Sequence, residues 1–421
     1  YYLLRMVDTM SREMKDSGIE WIGEIPKNWQ VLHHKRIMSK TKEICDKYQG
    51  EDILSLTMRG VIKRDLENPK GKMPATFDGY QRIKQGNLLL CLFDIDVTPR
   101  CVGFIEHNGL TSPAYSQFEM KGSNNARYYD YLLRMIDNDK CFLHLAKNLR
   151  SSLTENDFGM IKTIVPPIEE QEKIAKYLDE KIYKVNTVIY ETKKIIEEYK
   201  KYKQTLIMEV VTRGLDKKVE LKYSGVEWIG DIPIGWKVDK IANVYKQRND
   251  KVSDKEYTPL SVTKKGIVLQ LENVAKTDNG DNRKLVKSGD FVINSRSDRR
   301  GSCGISPYDG SVSLINTVLE PIGTMNNEYY NYVFKTERFA DEFYKWGHGI
   351  VDDLWSTKWD DMKSIYIPVP SIEEQQEIAG YLKEQIFRID NMISKKELLI
   401  IELENYKKSL IYEYVTGKKE I

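Results

Sequence analysis

Two loops of this chain carry polar side chains of the types that hydrogen bond with the edges of nucleic-acid bases. The loops lie between equivalent glycines, Gly86 and Gly103 in one case and Gly289 and Gly304 in the other. An arginine fork can pair with guanine, asparagine can pair with adenine, and a carboxylate can accept from cytosine. The alternative is that the loops are solvated and that their Asp and Arg side chains merely satisfy each other. The base-reading candidates are Asp94, Asp96, Thr98 and Arg100 in the first loop, and Asn294, Arg296, Ser297, Asp298, Arg299 and Arg300 in the second.

A second set of polar residues keeps its chemistry between the two halves of the chain. Phosphate is the same at every nucleotide, so constant polar residues suit contacts that position a duplex without specifying its sequence. Ordinary surface charge explains these residues equally well. The backbone-contact candidates are Thr57, Arg59 and Lys84, which correspond to Thr263, Lys265 and Lys287.

The sequence contains none of the motifs expected of a nucleotide-modifying enzyme. The Pro166–Pro167 pair follows Val165 and precedes Ile168, so it does not form the Asn/Asp-Pro-Pro-Tyr/Phe motif of adenine methylation. No Gly-x-x-x-x-Gly-Lys-Ser/Thr phosphate loop occurs. The histidines lack ligand-like spacing and the five cysteines form no Cys-x-x-Cys pair, so a metal site is not expected. We therefore expect a non-catalytic chain without a cofactor of its own.

These candidates sit in a chain that repeats itself. Residues 17–29 and 224–236 are identical at nine of thirteen positions, at an offset of 207. Residues 165–212 and 369–416 are identical at 22 of 48 positions without a gap. The segments between them, 30–164 and 237–368, agree only in scattered patches. A constant frame with two divergent inserts predicts one scaffold that presents two different recognition surfaces.

Each divergent insert is expected to fold as a mixed α+β domain of roughly 140 residues. The short β-rich runs Asn87–Phe93 and Asp290–Ser295 follow Gly-containing turns and are typical of strands. The segments Tyr128–Ile136 and Glu328–Phe343 have helical spacing. The frame tryptophans are expected to pack each domain against the repeated helices rather than to stack on bases; they are Trp21, Trp29, Trp228 and Trp236.

The repeated 48-residue blocks predict two long helices with an apolar heptad stripe. A stripe sustained over five heptads indicates a partner helix, and the nearest partner is the other copy. If the two halves are related by a pseudo-twofold axis, the helices run antiparallel, and each would span about 65 Å at 1.5 Å per residue. The predicted seam residues are Leu178, Ile182, Val185, Ile189, Ile196 and Leu206 in the first helix, and Leu382, Ile386, Ile389, Ile393, Ile400 and Leu410 in the second.

Two repeated motifs carry a family resemblance. They are Glu-Trp-Ile-Gly-x-Ile-Pro-x-x-Trp and Pro-x-Ile-Glu-Glu-Gln-x-x-Ile-Ala-x-Tyr-Leu, each present twice about 200 residues apart. With them, the chain resembles the specificity (S) subunit of a type I restriction–modification system over positions 17–416. The resemblance implies two target-recognition domains, each reading one half of a split, asymmetric site in double-stranded DNA. The long helices would set the spacer and serve as a docking platform.

The same resemblance implies partner subunits that supply the chemistry. Two methyltransferase (M) subunits would bring S-adenosylmethionine, and restriction (R) subunits would bring ATP hydrolysis and cleavage. The assembled complex would then be an adenine-specific methyltransferase and an ATP-dependent endonuclease. The competing hypothesis is a coiled-coil scaffold protein that organises partners without contacting DNA.

The predicted organisation follows from the repeat boundaries. The segment Tyr2–Asp8 repeats Tyr131–Asp137 with one change in seven, which indicates either a remnant of an upstream recognition domain or a cloning artefact. The predicted parts are an N-terminal extension at 1–16, recognition domain 1 at 17–163, long helix 1 at 164–213, recognition domain 2 at 214–367, long helix 2 at 368–417 and a C-terminal tail at 418–421.

Bulk composition bounds the class of protein. The chain has 421 residues, of which 30% are charged, and its net charge is only +2, so a polyanionic partner must meet a local basic patch. No apolar run approaches the 18 residues of a membrane span. An odd number of cysteines without paired spacing favours reduced thiols and a cytoplasmic location, with no membrane partner.

Overall fold

The computed structural model describes residues 12–69, 73–98, 100–138, 140–145, 151–270, 280–349 and 355–421. The chain divides into two compact units. Unit 1 comprises Tyr1–Glu191 and Leu398–Ile421, and unit 2 comprises Thr192–Glu397. Each unit therefore contains one globular domain and a part of both long helices. The repeated segment Tyr2–Asp8 lies outside the described residues.

The globular domain of unit 1 is built on a four-stranded and a three-stranded antiparallel sheet. Its strands are β1 (Met14–Asp16), β2 (Glu24–Pro26), β3 (Gln30–His33), β4 (Met38–Thr41), β5 (Glu43–Ile44), β6 (Leu54–Thr57), β7 (Gly60–Lys63), β8 (Gln81–Ile83), β9 (Leu88–Leu90), β10 (Val102–Phe104), β11 (Gly109–Thr111), β12 (Ser116–Met120) and β13 (Lys162–Val165). The strand orders are β10-β9-β12-β4 and β11-β8-β5, and β1 with β2, β3 with β13 and β6 with β7 form separate pairs. The short helices are α1 (His34–Ile37), α2 (Ala126–Asn138), α3 (Cys141–Leu145) and α4 (Glu155–Met160).

Unit 2 repeats this topology. After the long helix α5 (Ile168–Arg213), its strands are β14 (Leu221–Tyr223), β15 (Asp231–Pro233), β16 (Lys237–Lys240), β17 (Tyr245–Arg248), β18 (Lys251–Val252), β19 (Leu260–Thr263), β20 (Gly266–Leu269), β21 (Arg283–Val286), β22 (Phe291–Asn294), β23 (Cys303–Ile305), β24 (Gly310–Val312), β25 (Asn316–Pro321) and β26 (Tyr366–Val369). The orders are β17-β25-β22-β23 and β18-β21-β24, with separate pairs β14-β15, β16-β26 and β19-β20. The helices are α6 (Asn327–Phe334), α7 (Glu337–Lys345), α8 (Trp359–Met362) and the second long helix α9 (Ile372–Val415), besides 3-10 turns at Ile241–Asn243 and Ser297–Arg299.

The two domains match strand for strand, so the predicted α+β fold of both inserts is confirmed. The central strands are buried on both faces, as in β9 and β22, because helices cover one side and the second sheet covers the other. The segment with helical spacing at Glu328–Phe343 is helical, and it forms two helices, α6 and α7. Thr336 ends α6 and caps α7, since its side chain accepts a hydrogen bond from the backbone N–H of Phe339 at 3.2 Å.

The repeat extends into the segment predicted as an N-terminal extension. Strand β1 pairs with β2 in the register Met14 to Pro26, and β14 pairs with β15 in the register Leu221 to Pro233. The two hairpins are 207 residues apart, which is the offset of the frame motif that they flank. The structured repeat therefore begins at or before Met14.

The long helices begin and end through local signals that recur in both copies. Acidic residues occupy the first turn of each, where they favour the positive end of the helix dipole. Ser371 adds a capping box, because Ser371 and Glu374 exchange backbone-to-side-chain hydrogen bonds of 3.2 Å. Gly214 and Gly417 end the helices with positive φ values of 76° and 71°, a conformation that glycine adopts without strain.

Within each unit the two long helices run antiparallel. In unit 1, Tyr177 near the start of α5 contacts Tyr414 near the end of α9, with the hydroxyls 3.2 Å apart. Further along, Lys407 donates to Asn186 Oδ1 at 3.1 Å. Rising numbers on α5 thus meet falling numbers on α9. The antiparallel pairing predicted from the repeat is confirmed for the part of each helix in its unit.

The predicted seam residues face away from solvent. Nine of the twelve are buried, and the other three, Ile182, Ile386 and Ile400, are half-buried. The unit 1 members are Leu178, Ile182, Val185, Ile189, Ile400 and Leu410, and the unit 2 members are Ile196, Leu206, Leu382, Ile386, Ile389 and Ile393. Such a stripe is typical of a coiled coil, in which burial of apolar side chains supplies most of the stability.

Polar interruptions of the seam are used as cross-helix contacts. Lys203 Nζ lies 2.6 Å from Asp390 Oδ1 in unit 2. The equivalent pair in unit 1 is Lys407 with Asn186. Both pairs sit at an offset of 204, so the same polar contact occurs twice with one carboxylate replaced by an amide. A polar contact in an apolar seam fixes register at some cost in stability.

Each domain grips the start of one long helix through the frame motif. In unit 1 the indole N–H of Trp29 donates to Glu170 Oε2 at 2.9 Å, and in unit 2 that of Trp236 donates to Glu374 Oε1 at 3.0 Å. Both rings are almost fully buried. The glutamate carboxylate thus satisfies an indole that would otherwise be buried without a partner.

The same domain also holds the end of the other long helix. The hydroxyl of Tyr128 donates to Val415 O in unit 1, and that of Tyr329 donates to Val211 O in unit 2, both at 2.8 Å. These carbonyls belong to the last helical turn, where no intrahelical partner exists. Burial raises the pKa of both tyrosines well above the usual value, so the hydroxyls remain donors.

A glutamine completes this arrangement, which we call the helix clasp. Gln171 donates to Pro166 O at 2.9 Å and accepts from the backbone N–H of Asn125 at 2.8 Å. Gln375 makes the same two bonds, with Pro370 at 3.0 Å and Asn326 at 2.8 Å. The clasp of unit 1 is Trp29, Tyr128, Glu170, Gln171 and Val415, and that of unit 2 is Trp236, Tyr329, Glu374, Gln375 and Val211.

No helix among the residues that the structure describes is long and apolar enough to cross a membrane.

We expect Gly417→Ala to destabilise unit 1 more than a strained glycine alone explains. A Cβ at Gly417 would lie 2.5 Å from Pro26 Cγ and 2.8 Å from Trp29, in addition to the penalty for a positive φ. The expected loss is about 3 kcal/mol, against about 1 kcal/mol for Gly122→Ala, which shares the positive φ but meets no atom within 4 Å. Calorimetric unfolding of both variants measures the difference. Equal losses would show that the clasp tolerates displacement of the helix end.

Candidate nucleic-acid interface

The first candidate loop connects β9 to β10 and is anchored to the domain at its centre. Ile95 is buried, and its backbone N–H donates to Ser151 O at 3.1 Å. Asp94 has a positive φ of 48° and accepts from the backbone N–H of Thr98 at 2.9 Å. The side chains of Asp94 and Asp96 are exposed on either side of the anchor, and that of Thr98 is half-buried. Asp94, Asp96 and Thr98 remain predictions as base contacts.

Arg100 points into the domain instead. Its side chain is 13% exposed, donates to Asn138 Oδ1 at 3.0 Å and lies 3.6 Å from Asp137 Oδ2. Burial, partly offset by the Asp137 carboxylate, lowers the pKa of the Arg100 guanidinium. In this conformation the guanidinium pairs with a buried carboxylate, so its geometry favours a structural role over contact with a base.

The second candidate loop connects β22 to β23 and pairs its own charges. Arg296 Nε lies 2.9 Å from Asp298 Oδ1, and Arg299 Nε lies 3.6 Å from Asp298 Oδ2. Arg300 forms an ion pair with Asp341. This is the mutual satisfaction that the alternative hypothesis describes. The arginines are nevertheless between 37% and 66% exposed, and such surface pairs contribute little energy, so a phosphate or base can compete for them.

Two further residues of this loop are fixed by the strand that precedes it. Asn294 is the last residue of β22; it is buried, and its Oδ1 accepts from the backbone N–H of Arg296 at 3.1 Å. The backbone N–H of Ser297 donates to Trp355 O at 2.9 Å. Asn294 therefore turns the chain at the base of the loop. Arg296, Ser297, Asp298, Arg299 and Arg300 remain predictions as base contacts.

The backbone-contact candidates lie on two hairpin turns of identical build. Thr57 Oγ1 donates to Gly60 O at 3.0 Å and accepts from the N–H of Arg59 at 3.1 Å. In the turn of unit 2, Thr263 makes the same bonds to Gly266 O at 2.9 Å and from Lys265 at 3.2 Å. The threonines thus stabilise the turns, and the exposed basic residue that follows each of them is displayed at the tip.

The other two candidates, Lys84 and Lys287, are exposed at the turns that lead into β9 and β22. Each turn is held by a side chain that accepts from the backbone N–H of the lysine: Gln117 Oε1 at 2.7 Å for Lys84, and Asp290 Oδ2 at 2.8 Å for Lys287. Lys84 Nζ also lies 3.5 Å from Glu43 Oε2. Both side chains are exposed, and their contact with DNA phosphate remains a prediction.

One charged helix face was missed by the sequence reasoning. In α2 it consists of Arg127, Asp130 and Arg134, where Arg134 Nε lies 2.8 Å from the fully buried Asp130. The matching face of α6 has glutamate, asparagine and lysine at 328, 331 and 335. Tyr128, Tyr129 and Tyr131 correspond to Tyr329, Tyr330 and Tyr332 at the same offset of 201, so aligning these tyrosines in the sequence also aligns the charged positions.

Arg127 ties α2 to the long helix α5 in unit 1. Its Nε lies 2.7 Å from Asp179 Oδ1 on α5, and its guanidinium lies over the rings of Phe104 and Tyr131 at 5.2 Å. The residues at the corresponding positions of unit 2 have the opposite charges, Glu328 on α6 and Lys383 on α9. Glu328 is exposed and accepts from Asn331 at 3.3 Å.

Unit 2 contains a basic cleft of about 720 Å³. Five cationic side chains line it, together with Tyr332, Glu337 and Asp390. A shallower hollow shares Lys265 and Lys335 with it and continues past Gly266, Gly289 and Gly304. With a net charge of only +2 for the chain, such a local concentration of cations is what attracts a polyanion. The cations of the basic cleft are Lys203, Lys264, Lys265, Arg300 and Lys335.

No chemistry-bearing cluster accompanies this surface in the described part of the chain. Among those residues, no group of His, Cys, Asp or Glu could hold a metal ion. His34 is fully buried against Phe158, and burial lowers its pKa to about 4, so the ring is neutral and packed. Burial raises the pKa of the Cys303 thiol to about 12, which leaves no reactive thiolate at neutral pH. The arrangement is suited to binding.

Comparison with known proteins places this architecture. A sequence model of the type I restriction modification DNA specificity domain matches residues 233–404, which span most of unit 2 and most of the second long helix. Residues 233–404 therefore form a type I restriction–modification DNA specificity domain. The resemblance predicted from the repeated motifs is therefore confirmed. Specificity subunits are generally non-catalytic, which agrees with the expectation that this chain is not an enzyme.

Two curated relatives are similar to this chain in sequence. The putative type I restriction enzyme MjaX specificity subunit of Methanocaldococcus jannaschii is 26% identical over 94% of this chain and 95% of its own. The MjaVIII specificity subunit of the same organism is 26% identical over 62% of this chain and 63% of its own. The first alignment runs over nearly the full length of both proteins, and the second covers about three fifths of each.

Solved structures support the fold. A chain from a study of complex assembly and conformational transition of the type I R-M system matches with a TM-score of 0.69 over 94% of this chain and 99% of its own. The HsdS subunit of Thermoanaerobacter tengcongensis matches with a TM-score of 0.53 over 94% and 98%. Both are 14% identical, so they establish the architecture and not the residues that read DNA.

We expect Arg100→Ala to destabilise unit 1 by about 3 kcal/mol, because it leaves the buried Asp137 without its cation. Arg300→Ala, which removes an exposed pair, is expected to cost no more than about 1 kcal/mol. Urea unfolding of the full chain measures both. If Arg100→Ala keeps its stability but loses affinity for a target duplex, the arginine reads DNA after all.

Proposed function

We propose that this specificity protein reads a bipartite, asymmetric DNA target, with one half-site bound by each globular domain. A single observation carries the proposal: two domains share one topology strand for strand, while the loops between β9 and β10 and between β22 and β23 differ in nearly every polar residue. A common frame fits the common features of a duplex, and unlike loops fit unlike base sequences.

The contacts with DNA are proposed to fall into two groups. The exposed loop residues would read bases; they include Asp94 and Asp96 in unit 1 and Arg296, Arg299 and Arg300 in unit 2. The residues on the hairpin turns and the lysines of the basic cleft would contact phosphates. The clasped long helices would set the spacer between the half-sites, and a helix of 46 residues is about 69 Å long at 1.5 Å per residue.

Partners and cofactors follow from the same proposal. Two methyltransferase subunits and the restriction subunits would dock on this chain, whose repeated helices and frame motifs offer the same surface twice. S-adenosylmethionine and ATP would be bound by those partners, since the sequence has neither an adenine-methylation motif nor a phosphate loop. The chemistry on the base requires extrusion into a partner's pocket.

We expect the adenine methylation directed by this chain to mark a split, non-palindromic sequence. The two domains carry different loop residues, so the two half-sites should differ. Modified-base mapping on DNA from cells that express the chain with its methyltransferase subunit measures the target. Cells that lack the chain are the control. A continuous palindrome would contradict the proposal. Methylation sites that are the same in cells with and without the chain would favour the scaffold hypothesis.

Exchange of residues 237–367 for the corresponding segment of another family member should change one half-site and leave the other intact. The segment lies within one unit, and its fold depends on the frame and clasp residues, which the exchange retains outside it except for Tyr329. A donor with tyrosine at that position keeps the clasp. The same mapping reads out the result, and the matched exchange of 30–163 should alter only the other half. Changes in both halves would show that the domains do not read DNA independently.

A further inference from the structure

We propose that a basic residue on the helix beside each hairpin turn, Arg134 in unit 1 and Lys335 in unit 2, binds DNA phosphate together with the basic residue at the turn. We call each pair a phosphate clamp; the clamps are Arg59 with Arg134 and Lys265 with Lys335. This inference rests on the proposed function and names the residues that grip the constant part of its ligand.

The turn supplies the first cation of each clamp in a fixed position. The threonine hydroxyl at the start of each turn donates to the glycine carbonyl and accepts from the backbone N–H of Arg59 or Lys265. These two bonds stabilise the backbone of the turn. The glycine at its end has a positive φ of 104° in unit 1 and 118° in unit 2. This internal bonding leaves the side chains of Arg59 and Lys265 exposed and without a structural task.

The helix supplies the second cation next to the turn. Arg134 Nη2 lies 3.3 Å from the position that a Cβ would take at Gly60. Lys335 lines the same hollow as Lys265 and Gly266. The two residues are 201 positions apart, on equivalent helices, and both are cationic although the residues four and seven positions before them have changed.

Retention of charge at both positions points to phosphate as the ligand. Base-reading residues should differ between the halves, as the loop residues do, whereas phosphate contacts should not. The face around Arg134 changed its other members from arginine and aspartate to glutamate and asparagine, so charge was not retained throughout. The feature that both units share is a cationic side chain at the turn together with a second one on the neighbouring helix.

The two clamps differ in how much charge they offer. In unit 1 the buried Asp130 holds Arg134 at 2.8 Å and also lies 3.3 Å from Arg127, so it orients the guanidinium while neutralising part of its charge. In unit 2 an asparagine replaces this aspartate, and Lys264 and Arg300 line the same cleft. The clamp of unit 2 should therefore contribute more to the salt dependence of binding.

The test is the salt dependence of duplex binding by the full chain co-purified with its methyltransferase subunit. The probes are a duplex that contains the mapped target and a scrambled duplex of the same composition. The double variant Lys265→Ala with Lys335→Ala should lower the slope of log affinity against log salt by about 1.8, since each phosphate contact contributes about 0.9. Both duplexes should lose affinity by the same factor, because phosphate contacts carry no sequence information.

Further variants test whether the change in slope is specific to the clamp residues. Lys255→Ala removes a lysine of the same unit whose side chain is 81% exposed and does not line the cleft, and it should leave the slope unchanged. Lys335→Arg keeps the charge and should restore the slope. In unit 1, Arg59→Ala alone should lower it by about 0.9 without disturbing the pair between Arg134 and Asp130.

The outcomes separate the clamp from the proposed function. A slope for the double variant equal to that of Lys255→Ala, with specific binding retained, would overturn the clamp and leave the proposed function standing. A changed ratio between target and scrambled duplex would assign these residues to base reading instead. If the wild-type complex failed to prefer its target at all, the proposed function would fall, and the clamp with it.

Discussion

The structure depends on the helix clasp, the set of hydrogen bonds by which each globular domain holds two helix ends. One buried tryptophan bonds to a glutamate in the first turn of one long helix, and one buried tyrosine bonds to a carbonyl in the last turn of the other. The last turn of a helix has unpaired carbonyl groups, so a tyrosine hydroxyl of the domain can bond to it there. Since the start of one helix and the end of the other meet at the same domain, an antiparallel pair follows.

The clasp explains why the motifs most similar between the two halves are not the ones that face a ligand. The tryptophan, glutamate and glutamine positions recur because both domains must dock on the same kind of helix ends. The loops between the central strands carry no such duty. They can therefore differ between the two halves. The ion pairs among Arg296, Asp298 and Arg299 lie at the surface rather than in the core. Constancy serves assembly of the unit, and divergence serves recognition.

The two units also differ where their sequences reverse charge. Arg127 and Asp179 tie a domain helix to a long helix in unit 1, and the counterparts in unit 2 are glutamate and lysine. Unit 1 places a guanidinium over two aromatic rings at this position, and unit 2 has a cleft lined by five cations. Identical topology thus supports different electrostatic surfaces, because surface charges can change while the buried contacts that define the fold are retained.

The sequence by itself determined the duplication, the α+β class of both domains, the long helices with their seam and the family, because periodicity and repeated motifs are properties of the chain. Tertiary structure decided which polar residues are available. Arg100 and Asn294 look like base readers in the sequence, yet the first pairs with a buried carboxylate and the second closes a strand. Arg134 and Lys335 can be aligned in the sequence, but their packing beside the hairpin turns is what the structure adds. Orientation and burial depend on contacts between residues far apart in the chain, which spacing alone does not encode.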